Sequence, residues 1–241
     1  MNERGTTWYR FIRWLAKNLA FAAWGGLRSE GNEQIPTTGP VIMAPVHVSH
    51  LDPPAVACGM ARAITFMAKE ELFKPPIFGP LIRSLGAFPV RRGKSDLEAI
   101  KFAIELLQQG RAVLVFPEGQ RGDGVTLGEP NTGISMLAKR TGAPVIPVGV
   151  VGTHLAFGKG RKPKRARMKV LYGAPIRFEE VCQGMPDREA RTYFAQYVME
   201  RIAELCRAGG LAVTTAPCRT PQAESPAAPE KSTAAEHPGG V

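Results

Sequence analysis

Short apolar runs alternate with segments of helical periodicity over most of the chain. The runs that predict buried strands lie at 40–49, 63–69, 87–92, 111–119, 143–152 and 167–178, the last as one or two strands. Apolar positions that recur every three or four residues predict helices at 95–109, 132–140 and 188–207, with a shorter helix and loops at 71–87. This alternation predicts an α/β fold with a mainly parallel central sheet flanked by helices.

Two of the predicted helices begin with recognisable end signals. Asp52 is followed by two prolines, which predicts an acidic N-cap and a proline-containing first turn. Ser95 precedes Glu98 by three residues, the spacing of a capping box. Polar loops therefore lead directly into helices at both positions.

Residues 7–28 form a further predicted helix with an unusual composition. Its apolar face carries Trp8, Phe11, Ile12, Leu15, Leu19 and Ala22, while Arg10, Arg13 and Lys17 interrupt the polar side. A basic helix with bulky aromatic residues is typical of a segment that lies in a membrane interface. The alternative is a plain amphipathic helix that caps the domain. No apolar run approaches the roughly 18 residues of a membrane-spanning helix, and no signal peptide is recognised.

The charge of the chain narrows the choice of partners. Thirty-one Lys and Arg against 21 Asp and Glu give a formal net charge of +10. Such an excess favours nucleic acid, an anionic membrane surface, or phosphorylated and coenzyme substrates. The run 159–169 carries seven basic residues, either as a solvated loop or as a contact for lipid headgroups, coenzyme phosphates or an acidic carrier protein. No aromatic residues are interleaved with these charges, so nucleic-acid binding is not expected.

The remaining composition suggests one folded domain and a tail. The four cysteines are scattered without metal-ligand spacing, which predicts free thiols and no metal site. After residue 210 the composition shifts to Ala, Pro, Thr, Ser and Glu, which predicts disorder. The predicted organisation is an N-terminal membrane-associating segment at 1–34, a catalytic domain at 35–210 and a disordered tail at 211–241.

His47 and Asp52 form the first candidate constellation, in the sequence HVSHLD. A carboxylate next to a histidine holds its tautomer and raises its basicity. Because the pair lies at a strand–loop–helix junction, the chain can turn Asp52 back toward His47. The alternative is that Asp52 serves only as a helix N-cap, and the two roles are compatible.

The second constellation is FPEGQRG at 116–122. An apolar strand here leads into a turn with a carboxylate (Glu118), glycines and an arginine (Arg121). Arginine grips phosphate through two hydrogen bonds, and glycine lets backbone amides approach it. The alternative is a solvated turn with an ordinary ion pair.

Together these motifs resemble the glycerolipid acyltransferases of the lysophosphatidic acid acyltransferase type. Four blocks occur in the family's order over about residues 35–180. They are VHVSHLDP (46–53), GAFPVRR (86–92) preceded by KEELFKPPIFG (69–79), FPEGQRG (116–122) and VIPVGV (145–150). The resemblance implies a membrane-associated enzyme of phospholipid biosynthesis on the cytoplasmic face of the cell membrane.

The resemblance also implies a role for each matching residue. His47 would be the general base and Asp52 its orienting carboxylate. Arg92, Glu118, Gly119 and Arg121 would bind the acceptor. The reaction would move a fatty acyl group from acyl-CoA or acyl carrier protein to the sn-2 hydroxyl of 1-acylglycerol-3-phosphate, giving phosphatidic acid, with no cofactor beyond the thioester.

Two positions depart from the family pattern. Val46 stands where many members have asparagine, and Gln120 where a small hydroxyl residue is usual. Neither removes a catalytic atom, but both bear on the acceptor headgroup. The alternatives are acylation of another lysolipid or hydroxylated lipid, or a non-catalytic membrane-binding protein of the same fold.

Overall fold

The computed structural model describes residues 5–90, 96–158, 160 and 162–215, and its centre is a seven-stranded sheet. The strands are β1 (Leu27–Glu30), β2 (Val41–Pro45), β3 (Ile64–Lys69), β4 (Ala87–Val90), β5 (Ala112–Leu114), β6 (Val145–Val151) and β7 (Met168–Tyr172). Their order across the sheet is β1-β7-β6-β2-β5-β3-β4. Every neighbouring pair is parallel except β6 and β7. The predicted α/β fold with a mainly parallel sheet is confirmed.

The helices are α1 (Thr7–Leu15), α2 (Asp52–Gly59), α3 (Phe78–Ser84), α4 (Asp96–Gln108), α5 (Gly133–Thr141), α6 (Thr153–Phe157), α7 (Phe178–Val181) and α8 (Asp187–Ala208). The connection from β2 through α2 to β3 crosses the sheet in one direction, and those through α4 and α5 cross it in the other. Right-handed crossovers therefore place α2 on one face, and α4 and α5 on the opposite face. Helix α1 packs on α2, and α8 packs on α5 and β6.

Strand β2 lies at the middle of the core. All five of its residues are buried, and it pairs with β6 on one side and β5 on the other. A strand covered on both faces is continuously apolar, as the run at 40–49 predicted. Because β2 and β5 are parallel, the polar loops that follow them emerge at the same edge of the sheet.

The predicted helix at 7–28 is wrong at its C-terminal end. After α1 the chain forms a π-helical segment, Ala16–Phe21, and then turns at Gly25 and Gly26, whose φ angles are +114° and +93°. Left-handed backbone of this kind ends a helix. Residues 27–30 then pair with β7, so part of the predicted N-terminal segment belongs to the central sheet.

Helix α1 contacts the domain through Tyr9 and Arg13. The Tyr9 hydroxyl accepts a hydrogen bond from Ile64 N at 3.3 Å, and Arg13 Nη1 donates to Met60 O. The predicted apolar stripe points away, and Trp8, Phe11 and Leu19 are exposed together with Trp14. Hydrophobic packing of that stripe on the domain is therefore not what holds this helix in place.

The predicted tail begins later than residue 211. Leu211 and Val213 are buried, and Thr214 exchanges backbone hydrogen bonds with Val125 and Leu127. The rest of the predicted tail, 216–241, lies outside the described residues. Within the part of the chain that is described, no helix has the length and apolar character that a membrane crossing requires.

Candidate active site

Two loops at the carboxyl edge of the sheet bring the candidate residues together. The loop after β2 carries His47 and leads into α2, and the turn after β5 carries Glu118. Val46 N still pairs with Val148 O at 3.2 Å, so the chain leaves the sheet directly before His47. Sites in parallel α/β sheets form at this edge, where loops diverge from neighbouring strands.

Asp52 is fully buried and accepts four hydrogen bonds. Its Oδ2 atom lies 3.1 Å from His47 Nδ1 and accepts from the backbone N–H groups of Val48 and Ser49, each at 2.7 Å. Its Oδ1 atom accepts from the Thr153 hydroxyl at 2.7 Å. Asp52 is the first residue of α2, and its carboxylate points back to the loop. The predicted N-cap is therefore wrong, because the carboxylate bonds to amides before the helix and none of the helix's own.

The His47 ring is held from several sides. It stacks on the Phe116 ring with centroids 3.8 Å apart, and its side chain remains 18% exposed. The His47 carbonyl accepts from Gly122 N at 2.8 Å, which ties the loop to the FPEGQRG turn. When Nδ1 carries the proton that Asp52 accepts, Nε2 has a free lone pair. This arrangement suits a general base.

Glu118 joins both loops through its two oxygens. Oε1 accepts from His47 N and Oε2 from Gly128 N, each at 3.0 Å. Burial raises the pKa of the Glu118 carboxyl above its ordinary value, while the two backbone amides act in the opposite direction. In the structure this residue therefore supports the backbone that carries the histidine.

Two further predicted binding residues, Gly119 and Arg121, belong to the same turn. Gly119 is exposed with a φ of +66°, and its N–H donates to Phe116 O at 3.1 Å, which closes the turn. The pKa of His50 is lowered by burial first, and then by the positive charge of Arg121, with a smaller contribution from the His47 ring. Arg121 thus lies within electrostatic range of the histidine loop. Arg92 lies outside the described residues.

Sequence reasoning missed three contributors to this site. Thr153 binds Asp52, Phe116 stacks on His47, and Gly128 binds Glu118. Thr153 lies two residues after the last residue of β6, the neighbour of β2, and a hydroxyl residue so close to that strand end was the available signal. Phe116 and Gly128 carry no chemical signature of their own. Only their positions in space reveal them.

Glu118→Gln is expected to lower kcat/KM about 10- to 100-fold and to destabilise the fold by about 1–3 kcal/mol. A Gln side chain offers one acceptor oxygen, so its NH2 group would face either His47 N or Gly128 N and displace that loop. Acylation kinetics and denaturant unfolding measure both effects. Glu129→Gln is the control, because Glu129 is exposed in the same loop. Equal kinetics for Glu118→Gln and the wild type would contradict this role.

A fold with a parallel sheet and a His–Asp pair at its carboxyl edge is compatible with an acyl-transfer enzyme. A model of the family described as Acyltransferase matches residues 26–151, more than half of the chain. The chain belongs to this acyltransferase family.

Named relatives and a solved structure agree with that assignment. The chain is 29% identical over 183 residues to 1-acyl-sn-glycerol-3-phosphate acyltransferase of Bacillus subtilis, covering 75% of this chain and 88% of that protein. It is 31% identical over 142 residues to lyso-ornithine lipid O-acyltransferase of Pseudomonas aeruginosa, covering 58% and 53%. The crystal structure of the 1-acyl-sn-glycerophosphate (LPA) acyltransferase PlsC of Thermotoga maritima superposes with a TM-score of 0.70, at 29% identity, over 84% of this chain and 79% of that one.

Proposed function

We propose that this protein is a 1-acylglycerol-3-phosphate O-acyltransferase. It transfers a fatty acyl group from acyl-CoA or acyl carrier protein to the sn-2 hydroxyl of the acceptor and forms phosphatidic acid for phospholipid biosynthesis. The observation that carries the proposal is the His47–Asp52 contact of 3.1 Å at the carboxyl edge of an acyltransferase-family sheet.

The reaction needs one base and no covalent acyl-enzyme. His47 Nε2 takes the proton of the acceptor hydroxyl while the hydroxyl oxygen attacks the carbonyl carbon of the thioester. The tetrahedral intermediate then expels the thiolate, which takes the proton back from the imidazolium. Asp52 stabilises that cation and holds the ring in place. The nearby Ser49 hydroxyl donates a hydrogen bond to Phe157 O at 2.7 Å. This hydroxyl therefore stabilises the fold and is not assigned a step in the reaction.

The acceptor phosphate calls for fixed positive charge. Arg121 and Arg92 are the proposed phosphate ligands, since a guanidinium pairs with phosphate through two hydrogen bonds. Gly119 leaves room for a headgroup beside the turn, because nothing lies within 4 Å of where its Cβ would stand. The role of Glu118 in binding is indirect, through the two loops that it joins.

The exposed apolar residues of α1 and of the π-helical segment after it support attachment to a membrane, and the cytoplasmic face is the side that we propose. Trp14 is 58% exposed and Leu19 is 59% exposed, and Arg10 and Lys17 are exposed beside them. Aromatic and aliphatic side chains flanked by cations favour the interface of an anionic bilayer.

Identification of the product lipid tests the proposal. The full-length protein is incubated with an acyl thioester and a mixture of lysolipids, and mass spectrometry is expected to find phosphatidic acid. Parallel reactions with acyl-CoA and acyl carrier protein identify the donor. No thioester-dependent product with any acceptor would refute the enzyme and favour a non-catalytic membrane-binding protein.

A second acceptor has a specific observation in its favour. One similar relative is named lyso-ornithine lipid O-acyltransferase, and Val46 and Gln120 depart from the pattern of the lysophosphatidic acid type. The same mixture therefore includes a lysolipid without phosphate. Faster acylation of that lipid than of lysophosphatidic acid would move the assignment to it.

A further inference from the structure

A second apolar surface lies outside the site, between the end of β3 and the first turn of α3. Within residues 72–80, which we call the apolar loop, Ile77 is 84% exposed, Phe78 is 46% exposed and Leu72 is 37% exposed. Pro75, Pro76 and Pro80 are exposed as well. Isolated apolar side chains on a surface are common, but a contiguous set usually marks a contact with a partner or a membrane.

The fold holds this loop in its protruding shape. Gly79 N donates to Pro75 O at 2.9 Å, and a Cβ at Gly79 would stand 2.1 Å from Phe73 O. At the base of the loop, Arg83 packs over the Phe73 ring at 5.0 Å. Consecutive prolines restrict the backbone further. The exposed side chains are thus presented by a preformed turn, and their ordering cost on binding is small.

Helix α3, whose first turn belongs to the apolar loop, contacts α1 at its other end. Trp8 Nε1 donates to the Ser84 hydroxyl at 2.9 Å, which joins the start of α1 to the end of α3. The Trp8 and Phe11 rings lie 6.2 Å apart. Helix α3 therefore links the exposed apolar residues of α1 to the apolar loop.

The loop also starts at the edge of the sheet that carries the candidate site. It follows Lys69, the last residue of β3, and β3 is parallel to β5, the strand that precedes Glu118. The positive charge of Lys69 contributes to lowering the pKa of His50, so this strand end lies near the histidine loop.

The charges around this surface select its occupant. Lys74 and Arg83 are exposed on the loop and on α3, Arg10 is exposed on α1, and Lys17 is exposed on the π-helical segment that follows α1. Glu70 and Glu71 precede the loop. Apolar tips surrounded mainly by cations complement an anionic bilayer, which offers acyl chains and negative headgroups together.

We propose that the apolar loop is a second membrane-inserting element, which enters an anionic bilayer beside α1. Two separated contacts fix the orientation of the domain as well as its attachment. They set the carboxyl edge of the sheet against the membrane, so a lipid acceptor reaches His47 while its acyl chain stays in the bilayer. This last step rests on the proposed acyltransferase function, but the insertion itself does not.

The test measures binding of the full-length protein to vesicles of phosphatidylglycerol and phosphatidylcholine by co-sedimentation. The double variant Ile77→Ser with Phe78→Ser is expected to lower the partition coefficient at least about tenfold, since two apolar side chains no longer enter the interface. Ile77→Ser alone, at a position too exposed to affect folding, is expected to lower it about threefold or more. Unchanged partition in both variants would overturn the proposal.

Phe102→Ser is the matched control. The exposed fraction of Phe102 is 40%, similar to that of Phe78, but Phe102 belongs to α4 on the opposite face of the sheet. Its partition is expected to equal that of the wild type. An equal loss of binding in this variant would show that exposed apolar area in general, and not the loop, drives binding, which also overturns the proposal.

A comparison of two acceptors separates this proposal from the proposed function. The double variant is expected to acylate a short-chain lysophosphatidate dissolved as monomers at the wild-type rate, and a vesicle-borne acceptor at least about tenfold more slowly. If the wild type acylates neither acceptor, the proposed function fails while vesicle binding still decides the insertion. If the variants dissociate a wild-type oligomer and leave partition unchanged, the loop is a contact between protein copies and the insertion is refuted.

Discussion

His47→Ala is expected to lower kcat about 10²- to 10⁴-fold, the contribution of a general base. The substitution removes the atom that accepts the hydroxyl proton. It also leaves the peptide N–H of residue 47, which donates to Glu118, in place, so the loop keeps that support. Thioester consumption under saturating acceptor measures the effect.

His50→Ala is the matched control for this variant. His50 lies three residues along the same loop, its side chain is exposed, and it makes no contact with Asp52 comparable to that of His47. We expect its kcat to stay within about tenfold of the wild type. Undiminished turnover in His47→Ala, or an equal loss in both variants, would refute His47 as the base.

Asp52→Asn is expected to lower kcat at least about 10³-fold with little loss of folded structure. The Asn oxygen can accept hydrogen bonds from the amides of Val48 and Ser49. The Asn NH2 group can donate to the Thr153 hydroxyl, which then acts as an acceptor and no longer as a donor. The hydrogen bonds are therefore largely kept, while the negative charge that stabilises the imidazolium is lost.

Asp52→Ala separates the charge from the scaffold. It leaves the buried amides and the Thr153 hydroxyl without their acceptor, and is expected to destabilise the protein by about 3–5 kcal/mol in addition to the kinetic loss. Asp123→Asn is the control, because Asp123 also accepts hydrogen bonds from two backbone amides, those of Val125 and Thr126, and lies outside the loop that carries His47. Near wild-type turnover in Asp52→Asn would show that Asp52 serves the fold alone.

Several hydrogen bonds from other residues hold the loop that carries His47. The His47 ring has Asp52 as its partner, and the His47 amide and carbonyl bond to Glu118 and Gly122 of the FPEGQRG turn. A base must lie within a few tenths of an ångström of its productive position, and a loop lacks the regular backbone hydrogen bonds that hold a helix or a strand. Buried carboxylates that accept backbone N–H groups supply the missing constraints.

Much of the architecture was predictable because its signals are local. The apolar runs that became β2 and β6 are strands buried on both faces, and such strands are recognisable without their neighbours. Strand β1 was missed since Leu27–Glu30 gains its conformation from β7, far along the chain. The predicted helix boundary at 7–28 failed for the same reason.

The sequence by itself determined the fold class, the order of the motifs, and the presence of a base, a carboxylate and an arginine at strand ends. These depend on periodicity and on residue type, which neighbours along the chain suffice to express. Only the tertiary structure decided that Asp52 bonds to its own upstream loop, that Glu118 holds the backbone of His47, that Thr153 completes the carboxylate's partners, and that α1 turns its apolar stripe outward. Each of these depends on which distant segments meet across the sheet, and a hydrogen bond or a buried face exists only once they do.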